Sequence, residues 1–238
     1  MSKKYKAIMF DLDGTLLPMD MKVFSNGYFV DLNEKCKDFN FDLKEFISAV
    51  WSGTHAMMKN DGSVTNRDAF WKRFEEIMHV SPELVDPVCL DFYQNEFKNA
   101  VRFTSPTPKA KIAVETAREK ADLVILATNP LFPMVGQITR LSWLDLKVSD
   151  FDLVTSYEEE RFCKPNPQYF VSVMERMNLK PSECLMIGND EYEDMFCASS
   201  LGIDCYLITD TMIENPEHHW DGPRGTYDEM LEMLKSLP

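Results

Sequence analysis

The chain has 238 residues, 45% of them hydrophobic, which is enough to bury the core of one sizeable domain or of a domain with a smaller insertion. Its formal charge is −14 at pH 7, so its average field repels phosphate backbones and anionic lipid surfaces. Binding of nucleic acid or membranes is therefore not expected as its main role, and an anionic small ligand would need local positive charge or a cation.

The cysteines and the N-terminal stretch indicate the compartment. The six cysteines are irregularly spaced, form no Cys-x-x-Cys pair and lie mostly among apolar neighbours, as reduced thiols do. The apolar stretch near the N-terminus ends at Asp11, which is too short for the core of about 7–15 residues of a secretion signal. No stretch approaches the roughly 20 apolar residues that span a bilayer. We therefore expect a cytoplasmic protein, a monomer or a homodimer.

Short apolar runs alternate with helix-like segments along most of the chain. The first run, from Ala7 to Phe10, is bounded by charges and suits a strand buried on both faces of a sheet. Further strand-like runs lie at 122–127, 151–155, 184–187 and 204–208, and helix-like segments lie at about 109–120, 132–141, 166–178 and 191–201. Because strands that alternate with helices imply parallel crossovers, the sequence predicts an α/β fold with a Rossmann-like parallel sheet.

One interval, from about residue 18 to 100, contains no clear strand. Helical patterns rich in Phe, Leu, Trp and Met lie near 22–38, 43–58, 66–78 and 82–98. They predict a four-helix cap domain at 18–100, inserted into a core domain made of residues 1–17 and 101–238. The polar stretch at 209–225 is expected to be an ordered surface loop before a last helix at 226–236.

Polar residues follow the apolar runs, where an open parallel sheet binds its ligands. These residues are Asp11 and Asp13 after the first run, Thr128 and Asn129 after the second, Lys164 in CKPNP, and the acidic stretch from Gly188 to Asp194 after the fourth. Carboxylates gathered on one edge repel each other unless a cation lies among them, and oxygen ligands without His or Cys select Mg²⁺. Asp11, the backbone carbonyl at Asp13, and Asp190 are the candidate ligands.

These motifs resemble those of the haloacid dehalogenase (HAD) superfamily. The matching stretches are DLDGTL at 11–16, ATN at 127–129, Lys164 in KPNP and GNDEYED at 188–194, in the right order over some 180 residues. The resemblance implies a Mg²⁺-dependent phosphatase that acts on a small phosphorylated metabolite. Asp11 would attack phosphorus to form an aspartyl-phosphate, and Asp13 would act as general acid and base.

The resemblance also assigns the residues around the phosphoryl group. Thr128 and Asn129 would hydrogen-bond its oxygens, and Lys164 would bridge Asp11 and the phosphate. The fourth motif departs from the commonest family pattern, because Asn189 follows Gly188 where Asp is frequent. Asp190 is the predicted direct metal ligand and Asp194 a supporting one, while coordination by Asn189 stays open.

Within the cap, Trp51, His55 and Met58 share one helical face. We interpret them as part of the cap core, with a wall over the substrate as the alternative. Two other functions also stay open. One is a phosphotransferase or mutase of the same superfamily, and the other is a non-catalytic module that binds a metal or phosphate.

Overall fold

The centre of the fold is a parallel β-sheet. The computed structural model describes residues 3–238, and within them a six-stranded parallel sheet has the order β3-β2-β1-β4-β5-β6. Its strands are β1 (Ala7–Phe10), β2 (Leu123–Leu126), β3 (Leu153–Val154), β4 (Cys184–Gly188), β5 (Asp204–Ile208) and β6 (Arg224–Gly225). The predicted Rossmann-like parallel sheet is therefore confirmed.

Strand β1 lies in the middle of the sheet, and all four of its residues are buried. Since successive side chains of a strand point to opposite faces, Ile8 and Phe10 enter one hydrophobic cluster, whereas Ala7 and Met9 enter another. Phe10 pairs with Leu126 of β2 and with Ile187 of β4. The three strands thus end at the same level, and the residue after Phe10 leads onto the carboxyl edge of the sheet.

Helices cover both faces of the sheet. They are α5 (Lys109–Lys120), α6 (Met134–Ser142), α7 (Gln168–Met177), the short α8 (Cys197–Ser199) and α9 (Tyr227–Ser236). Helices α5, α6 and α9 pack on the face of Ile8 and Phe10, while α7 and α8 pack on the face of Ala7 and Met9. A π-helical turn, Glu191–Phe196, precedes α8 where the sequence predicts an ordinary helix over 191–201.

Residues 21–103 form a helical unit with its own aromatic core, and we call this unit the cap. Its helices are α1 (Met21–Lys35), α2 (Leu43–Met58), α3 (Asn66–Met78) and α4 (Pro82–Gln94), followed by a 3₁₀ segment, Glu96–Phe103. The side chains of Asp20, Asp42 and Thr65 accept hydrogen bonds from the first-turn amides of α1, α2 and α3, which explains where these helices begin.

The cap joins the sheet through two adjacent connectors. The amide of Ser105 donates to the carbonyl of Pro18 at 2.8 Å, so the chain leaves and re-enters at one place. Phe132, which follows β2, packs into the aromatic core of the cap. The predicted domain boundaries at 17/18 and 100/101 stay predictions, and the 3₁₀ segment runs across the second of them.

The stretch expected to be a surface loop, 209–225, contains a strand. Its last two residues form β6, which pairs with β5 through Leu207 with Arg224 and Ile208 with Gly225. Across the described part of the chain no helix is both long and apolar enough to cross a membrane. All six cysteines, which lie in that same part, are buried with free thiols.

Candidate active site

A buried lysine joins two of the predicted site residues at the carboxyl edge of the sheet. Lys164 Nζ donates to Asp11 Oδ1 at 2.8 Å and to Asp194 Oδ1 at 2.6 Å. The Lys164 side chain is buried completely, and so is nearly all of Asp194. Asp11 reaches this position because its amide donates to Ile187 O at 2.9 Å, which extends β1 by one residue beside β4.

The lysine neutralises only part of the charge around it. Burial, together with the nearby carboxylates of Asp194 and Asp13, raises the pKa of Asp11 to about 7 against the opposing effect of Lys164. Burial alone would lower the pKa of Lys164, but Asp11 and Asp194 outweigh it and raise that pKa well above the usual value. The ammonium therefore stays charged, and the site keeps an excess of buried negative charge.

Both carboxylate oxygens of Asp194 accept hydrogen bonds, and these bonds fix the loop after β4. Its Oδ2 accepts hydrogen bonds from the amides of Asn189 at 3.0 Å and Asp190 at 3.1 Å, while its Oδ1 faces Lys164. A Cβ atom on Gly188 would lie 2.2 Å from Asp194 Oδ2, so only glycine lets the loop approach this carboxylate. Asp194 acts here as a positioning residue.

Asp190 and Asn189 differ in what their side chains are free to do. Asp190 Oδ1 accepts from the amides of Tyr192 and Glu193, both at 2.8 Å, and thereby caps the π-helical turn. Among the described residues, both donors to the Asp190 carboxylate bind Oδ1. Its Oδ2 is therefore available to another ligand. Asn189 is engaged at both ends, since its Oδ1 accepts from Thr15 at 3.1 Å and its Nδ2 donates to a backbone carbonyl at 2.8 Å. The geometry favours Asp190 over Asn189 as a metal ligand.

Asp13 has a partner, Arg140, that no sequence motif indicates. Arg140 of α6 is completely buried, and its Nη1 donates to Asp13 Oδ2. Its guanidinium also stacks over the ring of Phe132, with 3.9 Å between Cζ and the ring centroid. Asp13 Oδ1 is buried and has no hydrogen-bond partner among the described residues. No local pattern marks Arg140, because the pair joins residues 127 positions apart.

Thr128 and Asn129 lie beside this cluster at the end of β2. Thr128 is buried, and its carbonyl accepts from the hydroxyls of Thr155 at 2.7 Å and Tyr169 at 2.9 Å.

Asn129 Nδ2 donates to Glu193 Oε2 at 2.8 Å. Burial and the charge of Asp190 raise the pKa of Glu193 to about 8. Glu193 belongs to the acidic motif at 188–194, but no feature of the motif distinguishes it as a site residue.

A cavity of about 220 Å³ lies above these residues, between the sheet edge and the cap. The residues that line it are Asp11, Asp13, Met21, Trp51, Thr54, Met58, Thr128, Asn129, Leu131, Phe132, Asn189, Asp190, Glu193, Asp194 and Ile213. Trp51 is 47% exposed, so the expectation that it lies in the cap core is wrong, and it forms part of the cavity wall together with Met58.

The donors on the sheet side of the cavity suit a hard divalent cation. Asp11 Oδ2 and Asp190 Oδ2 are carboxylate oxygens outside the hydrogen bonds described above, and oxygen is the ligand that Mg²⁺ prefers. Among residues 3–238 no three His, Cys, Asp or Glu residues are grouped closely enough to hold a metal by side chains alone. Two carboxylates together with water molecules would be a donor set of the kind that Mg²⁺ accepts. Mg²⁺ commonly binds proteins in this way.

The sequence matches the family model of haloacid dehalogenase-like hydrolases over residues 5–202. The chain belongs to this family. A curated relative, the ribulose-1,5-bisphosphate 5-phosphatase of Halopiger xanaduensis, is 27% identical over 209 residues, which cover 85% of this chain and 84% of the relative. The pyrophosphatase PpaX of Bacillus cereus (strain Q1) is 22% identical over 240 residues, covering 98% and 97% of the two chains.

Solved structures share the fold of this HAD-like hydrolase. A HAD phosphatase from Thermococcus onnurineus superposes with a TM-score of 0.63 at 19% identity, over 96% of this chain and 97% of the other. The HAD-hydrolase YfnB from Bacillus subtilis, whose structure is bound to magnesium, superposes with a TM-score of 0.61 at 18% identity, over 98% and 99% of the two chains. Both structures contain the whole arrangement of sheet and cap, so they confirm the fold class.

Proposed function

We propose that this HAD-like hydrolase is a Mg²⁺-dependent phosphatase that hydrolyses a small phosphorylated metabolite through an aspartyl-phosphate on Asp11. The observation that carries the proposal is the buried contact between Lys164 and Asp11, which lies at the floor of the cavity with Asp13 two residues further on. The phosphatase relatives support the reaction class, and the magnesium-bound structural neighbour supports the choice of cation.

In the first half of the reaction, an oxygen of Asp11 forms a bond to phosphorus and the bond between phosphorus and the leaving alcohol breaks. A carboxylate attacks a phosphate dianion only if positive charge offsets the repulsion between them. Lys164 supplies part of that charge at Asp11. Thr128 and Asn129 lie at the adjacent edge of the cavity and would hydrogen-bond the phosphoryl oxygens. The side-chain amide of Asn129 would first have to release Lys164 O or Glu193 Oε2, to which its Nδ2 donates.

Asp13 gives a proton to the leaving alcohol and later takes one from the water that cleaves the aspartyl-phosphate. Arg140 holds one oxygen of Asp13, and Oδ1, which lacks a partner among the described groups, is left to exchange the proton. General acid and base catalysis of this kind contributes roughly 10²–10⁴-fold. Positioning and charge stabilisation must therefore supply most of the acceleration, which for phosphate monoesters reaches up to ~10²¹-fold.

Asp11, the carbonyl of Asp13, and Asp190 would hold the Mg²⁺, with Asp194 in a supporting role. When bound, the ion offsets the charge of the phosphoryl oxygens and of the developing transition state. Burial, and after it the carboxylates of Asp194 and Asp13, raise the pKa of Asp11, and this cost of a buried carboxylate cluster is the physical reason for a cation at this place.

The test is phosphate release from a panel of phosphorylated metabolites, measured with Mg²⁺ and with EDTA. We expect activity that requires Mg²⁺ and falls at least about 10³-fold in Asp11→Asn, which keeps the shape but removes the nucleophile. Asp122→Asn, which changes an exposed carboxylate, is the matched control and should retain wild-type rates.

Three outcomes would contradict the proposal. Wild-type rates in Asp11→Asn would remove Asp11 from its role. Accumulation of an isomerised sugar phosphate instead of free phosphate would indicate a mutase. Mg²⁺ binding without turnover of any ester would indicate a non-catalytic module.

A further inference from the structure

The cavity has two chemically different sides. The sheet side carries the reacting groups, and five of its side chains are acidic: Asp11, Asp13, Asp190, Glu193 and Asp194. The opposite side, where a leaving group would extend once the phosphoryl group lies at Asp11, is lined by apolar side chains and one threonine, and we call it the cap side because most of it comes from the cap. The cap contributes Met21, Trp51, Thr54 and Met58. The sheet domain contributes Leu131 and Phe132, which follow β2, and Ile213, which lies beside Asp190.

No lysine or arginine of residues 3–238 lines the cavity. Two cationic side chains lie behind the floor of the cavity, but both are already paired with other side chains. Lys164 binds Asp11 and Asp194, and Arg140 binds Asp13 and the side chain of Gln137. A second anionic group on the substrate would therefore meet apolar walls and nearby carboxylates, with no described cation to pair with.

The apolar wall continues into the cap. Thr54 and Leu131 also line a second, smaller cavity of about 40 Å³ among the aromatic side chains of the cap. The indole of Trp51, 47% exposed, presents a large apolar surface at the first cavity. Ligand pockets are lined mainly by hydrophobic and aromatic side chains with a few polar groups that set orientation, and the cap side of this cavity has that composition.

We propose that the substrate is a phosphomonoester whose leaving group is an uncharged alcohol with apolar surface, and not a bisphosphate, a pyrophosphate or a phosphorylated carboxylic acid. This inference rests on the proposed phosphatase function. It separates the chain from relatives whose names specify ribulose-1,5-bisphosphate and pyrophosphate, since both of those substrates carry a second anionic group. The cap wall selects against that second charge.

The test compares two esters of nearly equal size, 4-carbamoylphenyl phosphate and 4-carboxyphenyl phosphate, which differ in the charge of the leaving group. The wild-type protein with Mg²⁺ should turn over the neutral ester with a kcat/KM at least about tenfold higher, which corresponds to ~1.4 kcal/mol. Ribulose 1,5-bisphosphate and pyrophosphate should be poorer than both. Equal values, or preference for the carboxylate, would overturn the inference while leaving the phosphatase proposal intact.

A cation added to the wall should change this preference. Met58→Lys should reduce the ratio between the two esters by at least about tenfold, since the new ammonium can pair with the carboxylate. Leu84→Lys is the matched control, because Leu84 is 61% exposed on α4 and lies outside the cavity, and its ratio should equal that of wild type. An unchanged ratio in Met58→Lys would also count against the inference.

Calorimetric binding of the two esters to Asp11→Asn with Mg²⁺ separates this inference from the reaction itself. Tighter binding of the neutral ester supports the apolar, uncharged wall even if the wild-type protein turns over neither compound, in which case only the phosphatase proposal fails. Equal or tighter binding of the carboxylate overturns the inference whatever the turnover.

Discussion

Removing the carboxylate of Asp11, the proposed nucleophile, should stabilise the metal-free protein. Asp11 is buried and its pKa is raised from 3.8 to about 7, so its ionised form is disfavoured in the folded state. A difference of about three pH units, at ~1.4 kcal/mol for each, corresponds to about 4 kcal/mol in the free energy of unfolding. Asp11→Asn keeps an acceptor oxygen for Lys164 but carries no charge. Its free energy of unfolding should therefore exceed that of the wild-type protein by most of these ~4 kcal/mol.

The size of the stabilisation by Asp11→Asn depends on pH. Between pH 3.8 and about 7 the folded state binds more protons at Asp11 than the unfolded state, so wild-type stability falls as the pH rises through this window and levels off above it. The advantage of Asp11→Asn should therefore be small near pH 4 and complete by pH 8. At about 2–4 °C per kcal/mol for a chain of this size, 4 kcal/mol corresponds to a melting temperature higher by roughly 8–16 °C.

Thermal unfolding in EDTA at pH 5, 6, 7 and 8 measures this advantage, with Asp122→Asn as the surface control. Addition of Mg²⁺ should raise the melting temperature of wild type more than that of Asp11→Asn, because a ligand that binds only the folded state stabilises it in proportion to its affinity. An Asp11→Asn protein that is no more stable than wild type at pH 8 in EDTA would show that the buried charge of Asp11 does not destabilise the fold.

Two further substitutions test positioning. Arg140→Lys loses the planar contact with Asp13 and should lower kcat by about 10–100-fold with little change in KM, since general acid catalysis contributes roughly 10²–10⁴-fold. Steady-state kinetics measure this split, and a rise in KM at constant kcat would contradict it. Gly14→Ala combines a φ of +86° with a Cβ only 2.3 Å from Asn189 Nδ2, and should cost about 1–3 kcal/mol by urea unfolding. Gly202→Ala shares the positive φ (+85°), but its Cβ would meet only Pro181 Cβ at 4.0 Å, an ordinary contact, so it should cost less, and equal losses would rule out the clash with Asn189.

The sequence predicts most of the fold because its signals are local. Helices α2 (43–58) and α3 (66–78) begin and end where their patterns predict, since Asp42 and Thr65 mark their first turns. Strand β5 (204–208) likewise has the predicted bounds. Strand β6 was missed because two residues at a sheet edge leave no periodicity, and their pairing with β5 is set by contacts that form only in the folded chain.

The residues of the site can likewise be predicted from the sequence only where a local motif marks them. Asp11 and Lys164 can be proposed as neighbours because each belongs to a recognisable motif, and a parallel sheet brings those motifs to one edge. Arg140 could not be proposed, since it lies on α6 in a helix pattern like any other and its partner Asp13 is distant in sequence. The two hydrogen bonds of the Asn189 side chain could not be predicted from the sequence either, because their partners, Thr15 and a backbone carbonyl, lie on separate loops.

The placement of the buried cations has a consequence for how the site would bind phosphate. Lys164 is held between two carboxylates and Arg140 is held by Asp13, so both cations are already paired. A phosphate dianion that entered the cavity would add charge to a group of carboxylates whose ionisation is already costly, as the raised pKa of Asp11 shows. The proposed Mg²⁺ would relieve both repulsions at once, so binding of metal and of phosphate would favour each other by linkage. The cost of the metal-free cluster and its proposed binding of a phosphorylated substrate would therefore have the same physical origin.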